Sequence, residues 1–129
     1  TLSSKHDACP NNERITEERP FFFHTGKGRN QYITIDLESE HRVFELHIKN
    51  RTNVCLERAR CLFYCVHDSP EPDLSRGFPV SIDKAFLTKT GHISKTNLRG
   101  IKTRYLTIFS PEETFLHFSA VCVLGLNEA

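Results

Sequence analysis

The stretch Val43-Phe44-Glu45-Leu46-His47-Ile48-Lys49 runs directly into Asn50-Arg51-Thr52-Asn53-Val54-Cys55-Leu56-Glu57-Arg58. Phe44, Leu46 and Ile48 take one parity; Glu45, His47 and Lys49 take the other. A period of two gives a strand one buried face and one wetted face, as in an antiparallel sheet. The same alternation recurs outward from this stretch. Ile33, Ile35 and Leu37 alternate with Thr34 and Asp36, and Leu62, Tyr64 and Val66 form another set. Tyr105, Thr107 and Phe109 alternate against Leu106 and Ile108. Leu116, Phe118 and Ala120 share one parity and Val121 and Val123 the other, which predicts a bulge near Ser119 inside the last strand.

Turn-forming residues fall between these segments: Pro20, Gly26, Gly28, Pro70, Pro72, Gly77, Pro79, Gly91, Gly100 and Pro111. Lys84 to Lys89 has room for one helical turn, and Asp68 to Gly77 reads as a surface loop. Short strands separated by turns predict an all-β sandwich or barrel. The 129 residues fit a single domain spanning 1–129.

Composition narrows the function. Lys and Arg total 17 and Asp and Glu 16, a net charge of +1, whereas a nucleic-acid partner calls for a basic excess. No apolar run approaches the roughly 18 residues of a membrane span, so a membrane partner is not expected. The chain starts at Thr1 and contains no methionine, which reads as a processed or excised product. Five cysteines point to an extracellular setting, secreted or on a cell-surface ectodomain. Cys61 and Cys65 share one strand, where i and i+4 lie roughly 13 Å apart, too far for a bridge. Each must look to Cys9, Cys55 or Cys122, and the pairing stays open. No Cys-x2-Cys argues for zinc. There is no nucleophile elbow or phosphate loop, and Cys65 near His67 lacks a third, orienting group, so no enzyme is expected.

Arg51 and Arg58 leave the end of the cleanest strand with six residues between them, and His24 precedes Arg51 with 26 between. His24 lies in the turn-like Phe23-His24-Thr25-Gly26. One strand, a hairpin and a loop can bring the three side chains to one end of a sandwich. Two guanidinium forks and an imidazole offer many fixed donors and no carboxylate. That set suits a neutral, hydroxyl-rich ligand or an anion.

With Tyr32-Ile33-Thr34-Ile35-Asp36-Leu37, Val43 to Asn50 and Arg51 to Arg58, the chain resembles the F-type lectins, or fucolectins. Thr103 to Phe109 and Leu116 to Val123 resemble the closing strand pair of that family, so the likeness runs over roughly residues 20–124. The family sits among discoidin-type, galactose-binding-domain-like folds. The resemblance implies an antiparallel jelly-roll sandwich of about eight strands. It also implies that His24, Arg51 and Arg58 donate hydrogen bonds to L-fucose on fucosylated glycans or glycoproteins. Phe23, or Phe22, would form an apolar wall for the sugar methyl, and Asn53 takes the position of the family's aspartate.

The sequence departs from the family pattern at several points. Arg51-Thr52-Asn53 replaces Arg-x-Asp, and Val54-Cys55 replaces an adjacent Cys-Cys pair. Calcium is what the resemblance allows, yet Ala120 stands where the family places a calcium-holding glutamate. Asp7 to Asn12, opposite it, keeps few acidic groups, so neither a metal nor another cofactor is expected. Asn50-Arg51-Thr52 is also a sequon, making Asn50 a candidate glycosylation site that overlaps the sugar site. The alternative functions are a protein-interaction or cell-adhesion module on the same fold, and a phospholipid-binding module built on Phe21-Phe22-Phe23 beside Arg19. Modest single-site affinity would favour oligomers or tandem modules.

Overall fold

The computed structural model describes residues 2–3, 8–9, 23–50, 55–89 and 92–126. Within them lie β1 (Leu2–Ser3), β2 (Ala8–Cys9), β3 (Phe23–His24), β4 (Gln31–Lys49), β5 (Phe63–His67), β6 (Phe78–Pro79), α1 (Lys84–Thr88), β7 (Ile93–Ser110), β8 (His117–Phe118) and β9 (Ala120–Leu126). One sheet has the order β2-β9-β4-β7-β5-β6, with β1 also on β4; β3 and β8 form a second, two-stranded sheet. The all-β, antiparallel architecture expected from the alternation is present. Two short pairings differ, because β1 on β4 and β2 on β9 run parallel.

The central feature is a long ribbon. β4 and β7 pair antiparallel from Gln31↔Ser110 to Lys49↔Ile93. Register shifts between Asp36 and His41 and between Val43 and Glu45 bend it. At the first bend Glu38 has φ 73° and its N–H bonds the Asp36 carboxylate at 2.7 Å. At the second, Arg99 and Gly100 take φ 60° and 73° on the opposing strand. Ile33 and Ile35 from one half of β4, and Leu46 and Ile48 from the other, share a single core with Leu106, Ile108, Phe118, Val121 and Val123. The bends fold the ribbon over this core as a sandwich. Truncating one such buried Leu or Ile to Ala costs about 2–5 kcal/mol.

The bulge corrects one reading. Phe44 shares sequence parity with Leu46 but is exposed, while Val43 is buried, because the shift between Val43 and Glu45 moves the inward set by one residue. A second difference lies on β7, where Tyr105, Thr107 and Phe109 are buried as well as Leu106 and Ile108. β5 supplies the cover. Phe63 stacks on Phe109, His67 stacks on Tyr105, and His67 Nε2 lies 2.7 Å from the Thr107 hydroxyl, which is 2.8 Å from that of Thr34.

The parity change at Ser119 is a change of sheet. β8 pairs with β3, whereas β9 pairs with β4. Between them the Ser119 N–H bonds the Lys49 carbonyl at 2.9 Å. The expected single helical turn is α1, N-capped by Asp83, and Asp68 to Gly77 is a largely exposed loop that contains a 3-10 turn at Leu74–Arg76.

Candidate functional site

His24 lies on β3, in register with His117, and Phe23 with Phe118. The pairing continues past the strand ends. The Thr25 N–H bonds Leu116 O at 3.0 Å, and the Leu116 N–H bonds the Thr25 hydroxyl at 2.8 Å. Gly28 and Thr114 exchange both backbone bonds at 3.1 Å. The backbone that carries His24 is therefore tied to residues 114–118 along its length.

Arg58 reaches the same segment from the other side. The chain leaves β4 at Lys49, whose carbonyl is held by Ser119. Asn50 follows and is wholly buried, and its Nδ2 donates to Leu56 O and to Phe86 O, both at 3.0 Å. Cys55 opens a 3-10 turn over Leu56–Ala59 with φ 63°. This turn presents the Arg58 guanidinium 4.6 Å from the centroid of the Phe115 ring. The segment 114–119 thus collects the His24 strand, the end of β4 and Arg58. Arg51 and Asn53 lie outside the described residues, as does Phe22.

The electrostatics leave Arg58 available. Among the described residues its partner is the Phe115 ring and not a carboxylate; Glu45 sits 3.2 Å from His47, and Glu112 takes Arg60. A guanidinium over an aromatic face keeps its five N–H donors along the edge, open to a ligand's oxygens. Phe115 is half-buried and His117 is 2% exposed. Neither is singled out by the sequence. The signal was the parity of Phe115 and His117, opposite to the core residues Leu116 and Phe118.

Asn50, the candidate glycosylation site, has no exposed surface, and its side-chain amide donates to two main-chain carbonyls.

Cys65 is not built as a nucleophile. Burial pushes its thiol up to about 11, with Asp73 adding to the rise and the Thr107 hydroxyl opposing it. An activated thiolate needs the reverse. Neighbouring His67 is engaged by Ser69 O and Thr107. Ala120 is buried on β9 and offers no side-chain oxygen, and no three His, Cys, Asp or Glu side chains meet among the described residues. Asp7 and residues 10–12, on the segment opposite Ala120 in the family pattern, lie outside the described residues. No helix among the described residues is long and apolar enough to cross a membrane.

No protein-family sequence model and no curated protein sequence matches the chain. The likeness is in three dimensions, to carbohydrate-binding β-sandwiches. A serum fucolectin of striped bass, Morone saxatilis, superposes with a TM-score of 0.68 at 22% identity, over 82% of this chain and 36% of that one. A Streptococcus pneumoniae fucose binding module gives 0.57 at 20% identity, over 82% and 72%. The lectin domain of lectinolysin, complexed with Lewis B antigen, gives 0.60 at 16% identity, over 82% and 71%. The domain has the discoidin-like F-type lectin fold. It spans about a third of the striped-bass chain.

Proposed function

We propose that this domain is a non-catalytic carbohydrate-recognition module that binds L-fucose on fucosylated glycans through His24, Arg51 and Arg58. The observation that carries the reading is the convergence on residues 114–119. His24 lies on the strand paired with it, and Arg58 is stacked on its Phe115. The Arg-x6-Arg and His-x26-Arg spacings of the sequence supply the third member, Arg51. The donors would bond the ring and hydroxyl oxygens of the sugar, and an aromatic face would take its C6 methyl. Asn53 stands where the family pattern has a carboxylate. Fucosylated glycoproteins outside the cell are the partner class of this reading.

Calorimetric titration of the domain with L-fucose, beside a glycan array, tests it. A hydrogen bond from a charged donor is worth about 1.5–3 kcal/mol. Arg51→Ala and Arg58→Ala should each weaken binding by about one to two powers of ten, and His24→Ala should weaken it too. A folded wild-type domain without fucose-dependent signal refutes the proposal. It leaves the protein-interaction reading, for which the Asn53 and Val54 departures speak.

A further inference from the structure

We infer that Asn50 is a positioning residue for Arg58. Its buried amide clamps the 3-10 turn that carries Arg58 to α1, and the sequon it opens is not a modification site of the folded protein.

The end of β4 and the 3-10 turn carrying Arg58 are joined through one buried side chain among the described residues. Asn50 Nδ2 has two hydrogens, and both are used, on Leu56 O at the head of the 3-10 turn and on Phe86 O in α1. Phe86 is itself fully buried, and its N–H is held by the Asp83 carboxylate at 2.8 Å. The 3-10 turn that carries Arg58 is therefore referred to a capped helical turn seated in the core. Two carbonyl acceptors at 3.0 Å require a neutral double donor of this reach. Aspartate presents oxygens to both and leaves them without a donor, at a low-dielectric site. Arg58 follows two residues after Leu56, so the angle at which it crosses Phe115 depends on this clamp.

The inference rests on the fucose-site reading for its functional half, and the test separates the two. Asn50→Ala and Asn50→Asp are compared with wild type and with Thr52→Ala, which removes the sequon and keeps the amide. Amide hydrogen exchange reads the clamp and fucose titration reads the site. In the Asn50 variants, exchange at Arg58 and Arg60 should accelerate at least tenfold while Leu46 and Leu106 change little, and fucose affinity should fall about tenfold. Thr52→Ala should match wild type in both. The chain secreted from glycosylating eukaryotic cells should have the same mass at this peptide before and after glycosidase treatment.

If Asn50→Asp does not fold, Asn50→Ala decides. Unchanged exchange at Arg58 in a folded Asn50→Ala variant overturns the clamp. Faster exchange with affinity within twofold of wild type overturns the positioning role. A glycan on Asn50 of a folded, fucose-binding protein overturns the whole inference. If wild type binds no fucose, the lectin reading has failed, and the exchange data still decide the clamp.

Discussion

The guanidinium carbon of Arg58 lies 4.6 Å from the centroid of the Phe115 ring, which ties the second arginine of an arginine pair to the strand segment facing His24. A cation over a half-exposed ring is worth about 0.5–2 kcal/mol. The ring does more for geometry than for stability, since Phe115 is only half-buried. Phe115→Leu should therefore keep the fold and weaken fucose binding by roughly two- to thirtyfold. Arg58→Lys should lose more, because an ammonium cannot keep both the ring stack and a forked set of donors. Paired titration calorimetry and thermal melts check this; a Phe115→Leu domain with full affinity would remove the ring from the site.

Gly100 gives a second test, this time of the ribbon. Its φ of 73° is costly for an L-residue, and a Cβ there would stand 2.9 Å from Phe44 Cε1. The Phe44 ring is exposed and can swing away, so the backbone term decides. Gly100→Ala should destabilise the domain by about 1–2 kcal/mol. Adding Phe44→Ala should return the contact part and not the backbone part. Urea unfolding of the single and double variants separates the two, and full recovery in the double variant would show that φ is not the cost.

How much of this was legible in the sequence depends on length. Ile33, Ile35, Leu46, Ile48, Leu106 and Ile108 declared their faces because β4, β7 and their neighbours are long enough to carry a period of two. Phe44 misled because, against β9, β4 carries one extra residue between Val43 and Glu45, which inverts the parity on one side of it. β1 and β2 are two residues each, too short for any period, so their parallel pairing left no trace. In the candidate site, His24 and Arg58 were singled out by spacing. Phe115 was not, because its role exists only once the 114–118 segment is laid against β3. Asn50 read as a sequon because a three-residue pattern carries no information on burial.

The cysteines make a prediction of their own. Cys9 and Cys122 are register partners on β2 and β9, where neighbouring strands run about 4.8 Å apart, within the usual Cα range for a disulfide. Under oxidised glutathione, each bridge forms by thiolate attack on a disulfide sulfur with release of a reduced thiol. Peptide mapping of the domain after such treatment should show Cys9 linked to Cys122. Cys65, its thiol pushed up to about 11, should stay the slowest to alkylate near pH 8. Rapid labelling of Cys65 in the folded domain would contradict its burial.

The helical turn whose Phe86 carbonyl accepts from Asn50 predicts a pH dependence. The Phe86 N–H bonded to the Asp83 carboxylate holds that group below its ordinary 3.8, with His92, 3.4 Å away, acting in the same direction. The folded state therefore prefers the ionised carboxyl more than the unfolded chain does. The stabilisation is fully present above the unfolded value near 3.9 and is lost as pH falls through the lower folded value. The melting-temperature difference between wild type and Asp83→Ala should shrink as pH falls from about 5 toward 3. Asp83→Asn keeps an oxygen for the cap and cannot titrate, so its melting temperature should change less than that of wild type over the same acid range. Because Phe86 also accepts from Asn50, exchange at the Arg58 amide should quicken in Asp83→Ala at pH 7. A pH-independent difference between wild type and Asp83→Ala would show that the cap acts without its charge.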